Sequence, residues 1–235
     1  MKALVVRLQI HWGFSVKMPN QSAAQFAVYM PPPTTLVGAL AYACGYKRDA
    51  GGDAGELLRD VRWASFGFLE DVDVPLDVLV VGDFNKNLIA PYQRSDNRML
   101  DMAFGVQAME KVYAPGFEAL AVYFGDVERY KDCAWSIVRL GNKEALTNVL
   151  DVEVCDVARV GAGVFKTPLY VNADWAKPRG DVVELKAWPL RPESFVPGNK
   201  PSEFVTLYAP AFLRPAAYES QHVVEFCGQQ YALAV

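Results

Sequence analysis

Along residues 4–12 apolar and polar positions alternate. Leu4, Val6, Leu8, Ile10 and Trp12 fall on one side, and Val5, Arg7, Gln9 and His11 on the other. A period of two sustained this long predicts a strand with one buried face. Its second face, polar and partly cationic, either meets solvent or offers donors to a ligand. A polar loop over 13–29 follows, carrying Ser15, Lys17, Asn20, Gln21, Ser22 and Gln25. The pattern then changes to helical spacing: Leu36, Val37, Leu40, Ala43 and Cys44 share a side. Pro31, Pro32 and Pro33 hold the approach extended, because each ring fixes φ and removes a donor. Thr34 or Thr35 is expected to cap the first turn, and Gly45 to stop the last one. Gly38 costs helix stability, so close approach of the helix to a sheet is its expected use.

Further on, residues 61–69 read as a strand, and 71–116 as an irregular insertion, a β-hairpin or a long loop projecting from the core. Residues 78–81 are a short strand candidate within it, and 85–87 and 93–98 are polar turn-forming clusters. Residues 117–124 read as a strand. Asp126 is a candidate N-cap for a helix over 127–138, with Val127, Tyr130, Ala134, Ile137 and Val138 on one side. A turn at 142–144 leads to an alternating strand over 147–157. Strand, helix, strand, insertion, strand, helix, strand is the β-α-β-β-α-β plan. The expected fold class is therefore α+β, with a ferredoxin-like (RRM-like) core over 1–157 carrying the insertion at 71–116. From 158 to 235 prolines recur between short apolar runs, which reads as an irregular β-rich extension packed on that core.

Hydrophobic residues make up 52% of the 235-residue chain and charged ones 21%, which supports a sizeable core and excludes a disordered chain. No signal-peptide pattern opens the chain and no apolar run approaches a membrane span, so a cytoplasmic protein without membrane attachment is the default expectation. The four cysteines, Cys44, Cys133, Cys155 and Cys227, are scattered, and His11 and His222 are the only histidines. That spacing argues against zinc and reads as small buried apolar residues.

Charge changes the picture more than composition does. The net charge is −4, yet the first 48 residues contain no Asp or Glu, while Lys2, Arg7, Lys17, Lys47 and Arg48 lie there; the rest carries 18 basic against 27 acidic side chains. Such asymmetry points to an anionic partner at one end of the fold. Candidate chemistry is otherwise sparse. No G-x-S-x-G frame accompanies the serines. Gly161-Ala162-Gly163 lacks the lysine and helix of a phosphate loop. Asp71, Asp73 and Asp77 read as a solvated edge. An RRM-like sheet face with Arg7, Gln9 and His11, and with Trp12, Phe14 and Tyr29 nearby, fits RNA, although no RNP1 motif is present.

Pro31-Pro32-Pro33-Thr34-Thr35-Leu36-Val37-Gly38-Ala39-Leu40 after a leading strand and polar loop resembles the N-terminal signature of the fifth family of CRISPR-associated (Cas) proteins. Arg139-Leu140-Gly141-Asn142-Lys143-Glu144-Ala145 is similar to that family's R-x-G-x-x-E segment. The resemblance spans residues 1–157 and looks most like the type I-A branch. It implies a RAMP-fold subunit of a type I, Cascade-like effector complex. Such a subunit caps the 5′ handle of the guide crRNA and meets the backbone filament subunit and the large subunit, with target DNA reached only indirectly. An insertion hairpin, the thumb, folds over the guide. On that basis the candidate RNA contacts are Arg7, Gln9, His11 and Lys17; Asn20, Gln21 and Ser22 in the loop; Thr34 and Thr35 at the helix head; Lys47 and Arg48; Lys86, Arg94 and Arg98 in the insertion; and Arg139 and Lys143 in the second segment. No catalytic residue, metal or cofactor is expected. Two other readings stay open: a metal-independent endoribonuclease processing precursor RNA, with His11 as acid or base and Tyr29 assisting, and a purely structural assembly subunit.

Overall fold

The alternation at the N-terminus becomes strand β1 (Lys2–Ile10), in which Leu4, Val6, Leu8 and Ile10 are fully buried and Arg7 is exposed. The computed structural model describes residues 1–19, 26–46, 54–88, 104–195, 201–228 and 230–234, with backbone alone for 83–88 and 104–108. The elements after β1 are β2 (Gly13–Phe14), α1 (Pro33–Ala43), β3 (Val61–Phe68), β4 (Val80–Leu88), β5 (Phe104–Tyr113), β6 (Glu118–Gly125), α2 (Lys131–Ala134) and β7 (Thr147–Thr167). Then come β8 (Val171–Asn172), β9 (Lys177–Pro178), β10 (Val182–Ala187), β11 (Val205–Pro210), β12 (Ala216–Phe226) and β13 (Tyr231–Ala234). The main sheet runs β13-β12-β7-β1-β6-β3, with β9 attached to β12, and every pair in it is antiparallel. Two three-stranded sheets, β10-β11-β8 and β2-β5-β4, complete a mixed fold with few helices. No helix among the described residues is long and apolar enough to cross a membrane.

Helix α1 packs on β3, burying Leu36, Val37 and Leu40, and the buried Tyr123 hydroxyl donates to the Leu36 carbonyl at 3.1 Å. Its head differs from the expectation. Pro32 is the N-cap, and neither Thr34 nor Thr35 makes a capping bond. Pro33 in the first turn has no N–H to satisfy, so one orphan donor disappears without a cap. The proline-rich approach is fixed from behind: the buried Tyr170 hydroxyl donates to the Pro31 carbonyl at 3.1 Å. Gly45 ends the helix as expected, at φ +83°. Gly38 is not a point of close approach, since a Cβ there would meet nothing within 4 Å. A close approach occurs instead at Gly67 on the edge strand β3, where a Cβ would stand 2.2 Å from the Pro168 carbonyl oxygen. Tyr170 N–H donates to Phe66 O at 3.0 Å there, so the chain after β7 covers the sheet edge.

The insertion forms the β4–β5 hairpin, preceded by a 3-10 turn at Leu76–Leu79 where a strand was expected from residue 78. The helix expected over 127–138 is a correction. The chain makes a 3-10 turn (Glu128–Tyr130) and then only α2, with no side-chain cap from Asp126. Ser136 and Ile137 donate three residues back, to Cys133 and Ala134, and the Val138 carbonyl is drawn away to the Thr147 N–H. Tertiary pairing thus unwinds a segment with adequate helical spacing. Tyr130 helps anchor that turn: its hydroxyl lies 2.6 Å from Asp60, and burial first, then that bond, pushes its pKa up to about 12.

The cysteines are not isolated buried side chains. Cys44 is bonded to Cys133 and Cys155 to Cys227, the first tying the end of α1 to α2 and the second tying β7 to the end of β12. The strand expected over 147–157 continues to Thr167, so β7 runs through residue 158, and β12 and β13 extend the sheet that contains β1.

Candidate nucleic-acid interface

Three segments distant in sequence meet at the head of α1. The loop over 139–146 is closed by the Leu140 N–H to Ala145 carbonyl bond at 2.9 Å and by the Asn142 side chain, which accepts from the Ala145 N–H at 3.2 Å. Gly141 turns it at φ +91°, in the left-handed region, and a Cβ there would touch Thr35 Cγ2 at 3.5 Å and Val16 Cγ2 at 3.4 Å. The loop therefore rests on the first turn of α1 and on the segment leading to Lys17. The Arg139 guanidinium lies 4.5 Å from the Tyr42 ring centroid, stacked on the exposed side of α1. Lys143 projects into solvent. The His11 N–H donates to the Leu146 carbonyl at 3.1 Å, which seats the end of the first strand on the same loop.

Glu144 points the other way. Its carboxylate meets Lys111 Nζ at 3.4 Å, and the Lys111 side chain is only 10% exposed. Lys111 also stands over the Trp12 ring, 5.4 Å from its centroid. The hairpin root is fixed further by β2 pairing with β5, by Ser15 Oγ donating to the Glu110 carbonyl at 3.0 Å, and by the Ala27 N–H donating to the Glu110 carboxylate at 3.0 Å. Both carboxylates of this region are thus engaged, Glu110 by the Ala27 N–H and the half-exposed Glu144 by Lys111, while Lys17 and Lys143 stay exposed.

The structure brings together the segments that carry His11, Lys17, Thr34, Thr35 and Lys143, while the Arg139 guanidinium lies on Tyr42 in the last turn of α1. Thr34 and Thr35 are half-buried in the first turn of α1. Arg7 and Gln9 sit farther down β1, Arg7 roughly 13 Å from His11 at strand rise. Arg7 Nε donates to Glu118 Oε2 at 2.7 Å, and Asp151 lies directly across on β7. Glu153 pairs with Val5 on the same face, and Tyr231 next to it has its pKa raised by burial, with Arg7 opposing and Glu153 adding. Lys86 lies on β4, described by its backbone alone. Asn20, Gln21, Ser22, Lys47, Arg48, Arg94 and Arg98 lie outside the described residues.

Sequence reasoning missed Lys111, Tyr113 and the pairing of Glu144. Strand alternation around the buried Val112 and Ala114 places Lys111 on the opposite face with the exposed Tyr113, so no local signal marks its burial, and its partner comes from a distant loop. Glu153, Cys155 and Cys227 lie close enough to suggest a metal group, but both sulfurs are spent in the disulfide.

No protein-family model matches the chain. Among curated proteins it is 32% identical over 169 residues to CRISPR-associated protein Cas5 3 of Saccharolobus solfataricus, covering 70% of each chain. It is equally similar, over the same length, to CRISPR system aCascade subunit Cas5 1 of that organism. Among solved structures, a CRISPR protein from Archaeoglobus fulgidus superposes with a TM-score of 0.63 at 17% identity, over 99% of this chain and 97% of the other. A chain of a CRISPR RNA-guided surveillance complex gives 0.57 at 15% identity, over 93% and 90%.

Proposed function

The chain belongs to the Cas5 family of CRISPR-associated proteins, and from that premise we propose that it is the non-catalytic subunit of a Cascade-type effector complex that holds the 5′ handle of the guide crRNA. The observation that carries this reading is that the loop bearing Lys143 rests on the first turn of α1 beside the segment leading to Lys17, with the end of β1 at His11 seated on the same loop and with Glu144 and Glu110 each already holding a partner. Exposed cations beside carboxylates that already hold partners suit a phosphate backbone. The strand order β7-β1-β6-β3 supports a ferredoxin-like core over residues 1–157 whose second helix has shrunk to one turn, with 158–235 as an extension packed on it. In this reading the backbone filament subunit and the large subunit are protein partners, target DNA is reached through the guide, the subtype is I-A, and Lys86, Arg94 and Arg98 clamp the guide beside the handle.

Two double variants test the reading. Lys17→Ala/Lys143→Ala is expected to weaken binding of a handle-only RNA and to lower the slope of log K against log salt by roughly 0.7 for each phosphate the variant no longer neutralises. Arg94→Ala/Arg98→Ala is expected to matter only for RNA that carries guide beyond the handle. If neither pair moves affinity or slope for either RNA, the chain is a structural subunit instead. Repeat RNA incubated with the protein in EDTA is expected to stay intact. Cleavage abolished by His11→Ala would replace the non-catalytic reading with the nuclease one.

A further inference from the structure

The cationic site leaves an aromatic pair beside it without a task. Trp12 and Tyr113 have ring centroids 5.5 Å apart at 53°, and Tyr113 is 38% exposed. Their placement is fixed by backbone: Gly13 pairs with Tyr113 across β2 and β5, and the Ala114 N–H donates to the Trp12 carbonyl at 3.0 Å. Lys111 lies over the Trp12 ring and is itself held by Glu144, so the tryptophan is braced from within. At the surface the pair is flanked by exposed His11 and by Leu146, which is 45% exposed and whose carbonyl accepts from the His11 N–H. The aromatic pair thus sits at the root of the β4–β5 hairpin, with the Glu110 carboxylate engaged by the Ala27 N–H and the Glu144 carboxylate by the Lys111 that braces Trp12.

We propose that Tyr113, braced by Trp12, is a stacking seat for one unpaired base of the guide RNA where the strand passes from the cationic site to the hairpin. The proposal rests on the guide-binding reading and adds to it a contact that phosphates do not make. A base offers a flat π surface whatever its identity, and a braced ring gives it a partner at little conformational cost. An apolar protein contact is the competing use of the same patch, and the cations at the neighbouring α1 head favour RNA over it.

The test is a handle-plus-guide RNA with the fluorescent base 2-aminopurine placed at each position in turn. In the wild-type chain one position is expected to be quenched on binding. Tyr113→Leu should abolish that quench and weaken binding roughly 5- to 150-fold, the range for losing one base–aromatic stack, with the salt slope unchanged. Tyr113→Phe, which keeps the ring, should retain both. Affinity that falls with Lys17→Ala/Lys143→Ala but not with Tyr113→Leu, or quenching at no position, overturns the seat and leaves the handle reading standing. Tyr113→Leu that binds RNA like wild type but no longer associates with a copurifying effector subunit assigns the patch to protein and also overturns it. Wild-type chain that binds neither RNA refutes both.

Discussion

The 139–146 loop and the β1 face both carry arginine, and they treat their carboxylates in opposite ways. In the 139–146 loop, Glu144 is turned against Lys111 and Arg139 is stacked on Tyr42, so Lys143 meets solvent without an acidic neighbour from its own loop. On the β1 face, Arg7 is paired with Glu118 and shares its side of the sheet with Asp151 and Glu153. The acid-free stretch at the N-terminus would rank Arg7 with Lys17 as a phosphate contact. Cross-strand register ranks them differently, because β6 and β7 supply the carboxylates that β1 lacks. A cation is available to RNA only where its neighbours in space leave it so. Each surface also has its own cross-link, Cys44–Cys133 ahead of the loop and Cys155–Cys227 beside Glu153, and this allows the two to be broken separately.

The largest expected effect comes from those cross-links. They close separations of 89 and 72 residues, and removing either should cost about 2–4 kcal/mol through the freedom regained by the unfolded chain. Cys44→Ser/Cys133→Ser and Cys155→Ser/Cys227→Ser should therefore unfold at similarly reduced denaturant concentrations. Their RNA affinities should differ: the first variant loosens α2 and the loop behind it and should bind handle RNA more weakly, while the second should bind as wild type. Equal losses of affinity in both would mean that the Arg7 surface contributes as much as the loop.

The cross-links also mark where reading the sequence stopped. Strand β1 and helix α1 were legible because their signals are local: period two in one, and three prolines followed by helical spacing and Gly45 in the other. The β4–β5 pairing was legible as one of two alternatives, a β-hairpin or a long loop over 71–116. Pairing among four scattered cysteines depends on which segments the fold brings together, and spacing alone does not encode that. The failed second helix has the same origin. Its apolar spacing over 127–138 is real, but the bridge between Val138 and Thr147 competes for the backbone and wins. The candidate site was half legible. Lys17, Arg139 and Lys143 stand where a matched motif or a charge run puts them. Lys111, Tyr113 and the pairing of Glu144 arise only from contacts between segments far apart in the chain.

An intermediate effect is expected at the carboxylate paired with Lys111. Glu144→Leu leaves Lys111 almost buried beside an apolar side chain, and should destabilise the fold by about 1–2 kcal/mol. That is less than the roughly 3–5 kcal/mol of a fully buried pair, because the Glu144 side chain is 55% exposed and solvent screens it. Lys111→Met/Glu144→Leu removes both charges and should recover most of the loss in a denaturant titration. A double variant as unstable as the single one would show that Lys111 is held by its other contacts and not by Glu144.

The smallest effect should fall on Arg7, and it bears most directly on the contrast between the two surfaces. The Arg7 side chain is 51% exposed and its Glu118 partner 34%, so Arg7→Ala should change stability by less than about 1 kcal/mol. Its effect on handle RNA should be under about twofold at moderate salt, because a guanidinium already matched by a carboxylate releases few counterions from a phosphate. Glu118→Gln is the sharper variant. It frees Arg7 and removes one negative charge from that face. If guide RNA passes along β1, Glu118→Gln must raise affinity and steepen the salt slope. With the guide at the head of α1 instead, the variant should leave both unchanged while Lys143→Ala lowers both. A gain of affinity with Glu118→Gln would move the guide path onto the β1 face and return Arg7, Gln9 and His11 to a single interface.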